Sequence, residues 1–485
     1  MNTRIANYRQ FLLQLRWILL LVFPPAFVLG PESASDPQWH FALCVIAMAA
    51  GYVLLRQLED LTPRNAAVWL ALVLFIALYF FRYCYLVVNP TPLMRTLFDD
   101  AYASITRRPD LLQWAFTQSV TVFTVFCLAS AWLLRRGTSA TGVPLQPDGA
   151  AQDGVGGKLT QVLMVVLPLL MLVLGYVAHK YHIGQMGVAP GDPLPFRLKG
   201  VIFHARYILL PLLILLLILL GRRAGNSAVE RLGFALLLVH AASDMVLRGS
   251  RSSLLLGVLL IVFLVAAGGA RLRRADILAS AGVGVAAVWL TPLILHYRVL
   301  RSLSNDGIFA ILQQVPGRLG GNLIDLLRDG VAFVYFRLPG IETAWTLGSY
   351  DAKPLGAQLL PTVISKYGIT GYLNFDIYKI PVEAYTLFAP GFVGWLYLAG
   401  GISGLVFGAL ALSWLCSVLP GQLYGRGLKC APVANVFLLW VIFLALTDGT
   451  VDSLGFMIAV GLMSLTVIEI LLRRFGGSRD NAFAG

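Results

Sequence analysis

Twelve apolar runs, each close to the length of a membrane-crossing helix, constrain this chain more than any other feature. A bilayer core asks for about 20 consecutive apolar residues per helix. The runs lie near residues 11–29, 39–55, 66–88, 114–134, 159–178, 201–220, 232–248, 252–268, 277–296, 391–416, 433–447 and 453–472. Composition agrees: 58% of the 485 residues are hydrophobic and 13% charged, where soluble domains carry about 25% charged residues. The expectation is an all-α polytopic membrane protein of about twelve spans, forming one transmembrane domain over 1–485. The first run follows Arg4, Arg9 and Arg16, contains Pro24-Pro25 and lacks a small-residue cleavage site. It reads as a retained span rather than a removed leader.

Charge sets orientation. With the N-terminus inside, the inner segments hold 19 Lys and Arg against 7 Asp and Glu, as the positive-inside rule requires. Both termini are therefore expected to be cytoplasmic. The net charge of +13 is then a matter of topology, and no nucleic-acid partner is expected. The 5 cysteines fall in apolar runs or beside one, so no disulfide framework is implied. Residues 135–158, rich in Gly, Ser, Thr, Ala and Asp, read as a flexible cytoplasmic loop. Residues 297–390 read as one large helical outer loop with amphipathic pieces such as "GIFAILQQV".

Basic residues also recur where the rule disfavours them. The segment "DMVLRGSRSSLLLG" (244–257) turns between two apolar runs on the outer side, with Arg248 and Arg251 flanking the turn. His204 and Arg206 open the preceding run in "VIFHARYILL", and His296, Arg298 and Arg301 close the following one in "LILHYRVLRS". Guanidinium groups take phosphate oxygens bidentately and stay charged at any relevant pH. Ser252 and Ser253 would start a helix whose N-terminal amides favour an anion. The spacing thus points to an anion site at the outer leaflet. Two plainer readings stand beside it. Arginines at helix ends snorkel to headgroups, and Asp244 is spaced to pair with Arg248 along one helix. His179 and His182 have metal-compatible spacing without a third ligand nearby, so no metal is expected.

The outer loop mixes carboxylates (Asp306, Asp325, Asp329, Glu342, Asp351, Asp376 and Glu383) with Tyr335, Tyr350, Tyr367, Tyr372, Tyr378, Tyr385 and Trp345. Rings that stack on sugar faces and acids that bind hydroxyls suit a carbohydrate. Glu383 and Asp329 stand near apolar stretches where a carboxylate pKa rises, and with His296 they are the candidate catalytic acids and bases.

The "RGSRSSLLLGVLLI" span start resembles the Gly–Ser–Arg span of bacterial oligosaccharide repeat-unit polymerases, the Wzy family. The long outer loop ahead of "APGFVGWLYLAGGISGLVFGALAL" is similar in placement, as is the loop segment "LGSYDAKPLGAQLLPTVISKYG". The resemblance implies a GT-C-like glycosyltransferase in the bacterial inner membrane with a periplasmic active site. It would transfer a growing O-antigen or exopolysaccharide glycan from undecaprenyl pyrophosphate to the next lipid-linked repeat unit, using no metal, nucleotide or other cofactor. Arg206, Arg248, Arg251, Arg298 and Arg301 would then bind pyrophosphate, and a separate chain-length regulator is a possible partner. The related O-antigen ligases, which transfer glycan to lipid A core, carry a catalytic histidine in the outer loop. Residues 297–390 here have none. The remaining alternative, a lipid-linked oligosaccharide flippase or another carrier, calls for repeat symmetry and midplane charges, whereas these charges cluster at one face.

Overall fold

The computed structural model describes residues 36–58, 61–88, 109–140, 157–184, 198–248, 251–268, 274–289, 340–350, 352–363, 368–377, 391–447 and 451–475. They form helices and connecting turns, with no strand among them. Seven helical segments are long and apolar enough to cross a membrane: Pro37–Gln57, Ala66–Val87, Asp110–Arg136, Gly157–Lys180, Leu198–Arg223, Gly391–Gly425 and Leu454–Arg474. The chain is an all-helical membrane protein. The expected run at 11–29 lies outside the described residues. Those at 232–248, 252–268, 277–296 and 433–447 correspond to helices that are shorter or more charged than the seven.

The chain divides into two compact units. The first comprises residues 1–142, 338–425 and 438–455. Here α1 (Pro37–Gln57) begins at an Asp36 cap, whose carboxylate accepts from the Gln38 and Trp39 amides at 3.0 and 3.1 Å. The cap also fixes the helix against a neighbour: Gln113 bonds the Asp36 amide and carbonyl at 2.9 and 3.1 Å. Gln113 belongs to α3 (Pro109–Ala140), the central helix of this unit. Between them in sequence comes α2, which is α-helical at Ala66–Phe75, widens into a π turn at Ile76–Phe81 and resumes at Arg82–Val88. Its rings fill the core, with Tyr83 stacked on Phe116 at 4.2 Å and Phe80 edge-on to Phe123 at 4.8 Å.

The second unit comprises residues 143–337, 426–437 and 456–485. It contains α4 (Gly157–Lys180), α5, α6 (Ser227–Arg248), α7 (Arg251–Ala266) and α8 (Arg274–Trp289). Like α2, α5 is interrupted: Leu198–His204 leads into a π turn at Ala205–Leu209 and then Leu210–Arg223. α6 packs against α4, α5 and α7.

Back in the first unit, α9 (Ile341–Ser349) lies against α3 and against α10 (Gly391–Ser417). α10 is broken at Gly400 (φ −159°, ψ 20°) and Gly401 (φ 61°, ψ −141°). A break frees backbone groups that lipid cannot satisfy. The Leu355 amide, from the segment after α9, supplies one partner by donating to the Leu398 carbonyl at 2.8 Å. Leu347, Leu355, Ile369, Leu373 and Leu398 close over that contact as one buried cluster. α11 (Leu419–Gly425), α12 (Ala431–Thr447) and α13 (Val451–Phe475) complete the described chain.

Candidate functional site

The π turn of α5 shifts the helical register by one residue and carries Arg206 within it. Such turns recur at functional sites because they re-aim a side chain and release a backbone group. Both consequences are visible. The ring of His240, on α6, hydrogen-bonds the Arg206 backbone. The Arg206 side chain, 6% exposed, reaches Asp244 of α6, with Nε at 2.9 Å from Oδ1.

Asp244 is 4% exposed and holds a second arginine, Arg248, whose Nη1 lies 3.3 Å from Oδ2. The Ser253 hydroxyl, on α7, donates to the same Oδ2 at 2.8 Å. Close packing makes that reach possible. A Cβ on Gly257 would lie 2.5 Å from the Ala241 Cβ, so a glycine is needed where α7 meets α6. Arg248 is also boxed by rings, its guanidinium carbon 5.3 Å from the Phe203 ring centre and 4.9 Å from that of Tyr207. Cation–π contacts of this kind favour a cation kept from water.

Two adjoining recesses meet at this network. One is lined by Phe203, Arg206, Asp244 and Arg248, together with residues from the end of α4 and just beyond it. The other, mostly apolar, runs between α5, α6 and α7 past His240, Ser253 and Gly257. Asp244 and Tyr207 border both. Two guanidinium charges against one carboxylate leave one net positive charge. Arg206 Nη1 and Arg248 Nε are buried without a hydrogen-bond partner among the described residues. A buried, incompletely bonded guanidinium is costly unless an anion completes it. The recesses themselves are small, about 10 and 20 Å³, roughly the room of one water each, so the feature that marks an anion site here is the surplus of buried guanidinium charge rather than a preformed cavity.

Of the sequence-predicted residues, Arg206 and Arg248 come together here. Arg251 is the first residue of α7, with its side chain outside the described residues. Arg298, Arg301, His296, Asp329 and Glu383 also lie outside them. The His204 ring lies 4.5 Å from that of Phe456. Ser253, expected to mark an anion-binding helix start, spends its hydroxyl on Asp244 instead. Asp244 was read as spaced to pair with Arg248, and it does. Its second bond, to Arg206, joins helices that sequence spacing does not relate. The available signal was the cost of an acid inside an apolar run, which demands a cationic partner.

The first unit has its own charged centre. Arg82, 1% exposed, follows the π turn of α2 and forms an ion pair with Glu342 in the first turn of α9. A Cβ on Gly340 would lie 2.3 Å from the Leu78 carbonyl oxygen, so only glycine lets α9 start this close. Here a buried guanidinium meets a carboxylate within the same unit.

Set against protein-family models, curated proteins and solved structures, the chain matches none.

Proposed function

We propose that this chain is a glycan polymerase of the bacterial inner membrane, with about twelve spans, a GT-C-like architecture and both termini cytoplasmic. It moves a growing glycan from undecaprenyl pyrophosphate to the next lipid-linked repeat unit on the periplasmic side. The acceptor hydroxyl attacks the anomeric carbon of the donor. The bond from that carbon to the diphosphate oxygen breaks, and its electron pair leaves with the diphosphate. The hydroxyl proton passes to a base, for which Glu383, Asp329 and His296 are the candidates. Arg206 and Arg248, joined by Arg251, Arg298 and Arg301, stabilise the charge that develops on the leaving group.

The observation that carries this reading is the arginine cluster: excess guanidinium charge with unpartnered N–H groups, beside a small, mostly apolar crevice. Ligase chemistry is the second reading, and the absence of histidine from residues 297–390 weighs against it. The test is reconstitution of the purified chain with undecaprenyl-pyrophosphate-linked repeat units and no nucleotide. A ladder of polymer is expected, lost in Arg206→Gln and Arg248→Gln. Single units that persist, but transfer to added lipid A core, would make it a ligase. Movement of intact substrate across the vesicle would make it a flippase.

A further inference from the structure

We infer that Asp244 is a built-in competitor for the anion that the arginine recess binds. The inference rests on the reading of that recess as an anion site. Both carboxylate oxygens are committed in this state, Oδ1 to Arg206 and Oδ2 to Arg248 and Ser253. Each arginine nevertheless keeps one buried nitrogen unbonded, Nη1 of Arg206 and Nε of Arg248. Both nitrogens are buried and the recess beside them is only about 10 Å³, so a phosphoryl group reaches them only as the side chains give way. To take both guanidiniums fully it must displace Asp244.

The surroundings accommodate that displacement. Asp244 stands at the border of the two recesses, and Ser253 and His240 line the second one. A carboxylate turned away from the arginines keeps its Ser253 bond and moves toward His240, one turn earlier on the same helix. Asp244 thus neutralises the arginines when the recess is empty and opposes the anion when it is full. The consequence is an anion site of deliberately limited affinity. A site of unopposed arginines in a membrane would fill with phospholipid headgroups and hold its leaving group too long.

The sign of one substitution separates this role from a supporting one. Asp244→Asn nearly preserves shape and removes the competing charge. Binding of inorganic phosphate to the full chain in detergent should tighten by about tenfold, the scale of one close charge pair. Inorganic pyrophosphate, more highly charged, should gain more. Vesicles of phosphatidylglycerol should then compete with pyrophosphate for the variant more strongly than for the wild type, while phosphatidylcholine vesicles distinguish headgroup charge from bulk lipid. Equal or weaker binding by the variant would overturn the inference and leave the anion site standing. No pyrophosphate binding by either protein would overturn the anion site as well. Should Asp244→Asn fail to fold, His240→Phe serves. It removes the ring toward which the displaced carboxylate moves and should weaken pyrophosphate binding several-fold, and unchanged binding would refute the idea.

Discussion

Exchanging Glu342 for glutamine should cost this protein about 3–5 kcal/mol of stability, the scale for stranding one member of a buried ion pair. Arg82, which loses this carboxylate, is 1% exposed, and a guanidinium cannot escape by losing its proton. Removing Arg82 instead, as Arg82→Met, leaves Glu342 with a remedy that arginine lacks, since a carboxylate can take up a proton. Burial pushes the Glu342 carboxyl up, and the Arg82 guanidinium opposes that push. Without Arg82 the push is unopposed. Neutralising a carboxyl with an unfolded pKa near 4.3 costs about 3.7 kcal/mol at pH 7 and about 1.6 kcal/mol at pH 5.5. The folded pKa lies above the unfolded one, so stability is lost as pH rises. Arg82→Met should regain roughly 2 kcal/mol between pH 7 and pH 5.5, and Glu342→Gln should not. The double variant should recover most of the loss in Glu342→Gln. Reversible unfolding in mixed detergent at the two pH values measures all three. An Arg82→Met protein equally stable at both, or a Glu342→Gln protein within about 1 kcal/mol of wild type, would refute the reasoning.

Two further outcomes are expected. A Cβ on Gly461 of α13 would lie 1.9 Å from Phe437 Cζ of α12, so Gly461→Ala should destabilise by about 1–3 kcal/mol through overpacking. Phe437→Leu should suppress that loss in the same unfolding assay, and a neutral Gly461→Ala would contradict this close approach. All five cysteines are buried, and burial, with the Glu469 carboxylate beside it, pushes the Cys430 thiol up to about 12. A thiolate-directed maleimide should therefore label the folded protein slowly throughout pH 7–9 and all five sites rapidly once it is unfolded. Fast labelling of folded Cys430 at pH 8 would contradict this.

Hydropathy alone made most of the fold legible. The runs at 39–55, 66–88, 114–134, 159–178 and 201–220 each fall within a helix, because lipid imposes length and apolarity on every span whatever its neighbours. The interruptions were not legible. Nothing in "IALYFF" or "ARYIL" marks a π turn, since π and α turns bury the same apolar residues. The break at Gly400-Gly401 falls inside the run 391–416 without interrupting its hydropathy, and the capping amide of Leu355 comes from a distant segment. At the candidate site, the cationic residues were readable as charges where lipid disfavours them. Their pairing was not, because Arg206 and Asp244 meet through helix packing rather than spacing along one helix. For the same reason Glu342 looked like one acid among several in an outer loop, and only the contact with Arg82 singles it out.

The separation of Arg82 from Glu342 along the chain has a further consequence, for biosynthesis. Arg82 belongs to an otherwise highly apolar span and leaves the ribosome about 260 residues before its acid partner. At translation rates of about 5–20 residues per second, that interval is on the order of tens of seconds. Throughout it the nascent helix holds that guanidinium at the membrane without Glu342, and an arginine there is a burden of about 2.5–3.5 kcal/mol on insertion scales. For that interval the apolar residues around Arg82 must carry the span into the bilayer without the help of that carboxylate. Gly400-Gly401 faces the reverse order. Its capping amide, Leu355, is synthesised before Leu398, so the broken helix can be completed as it enters.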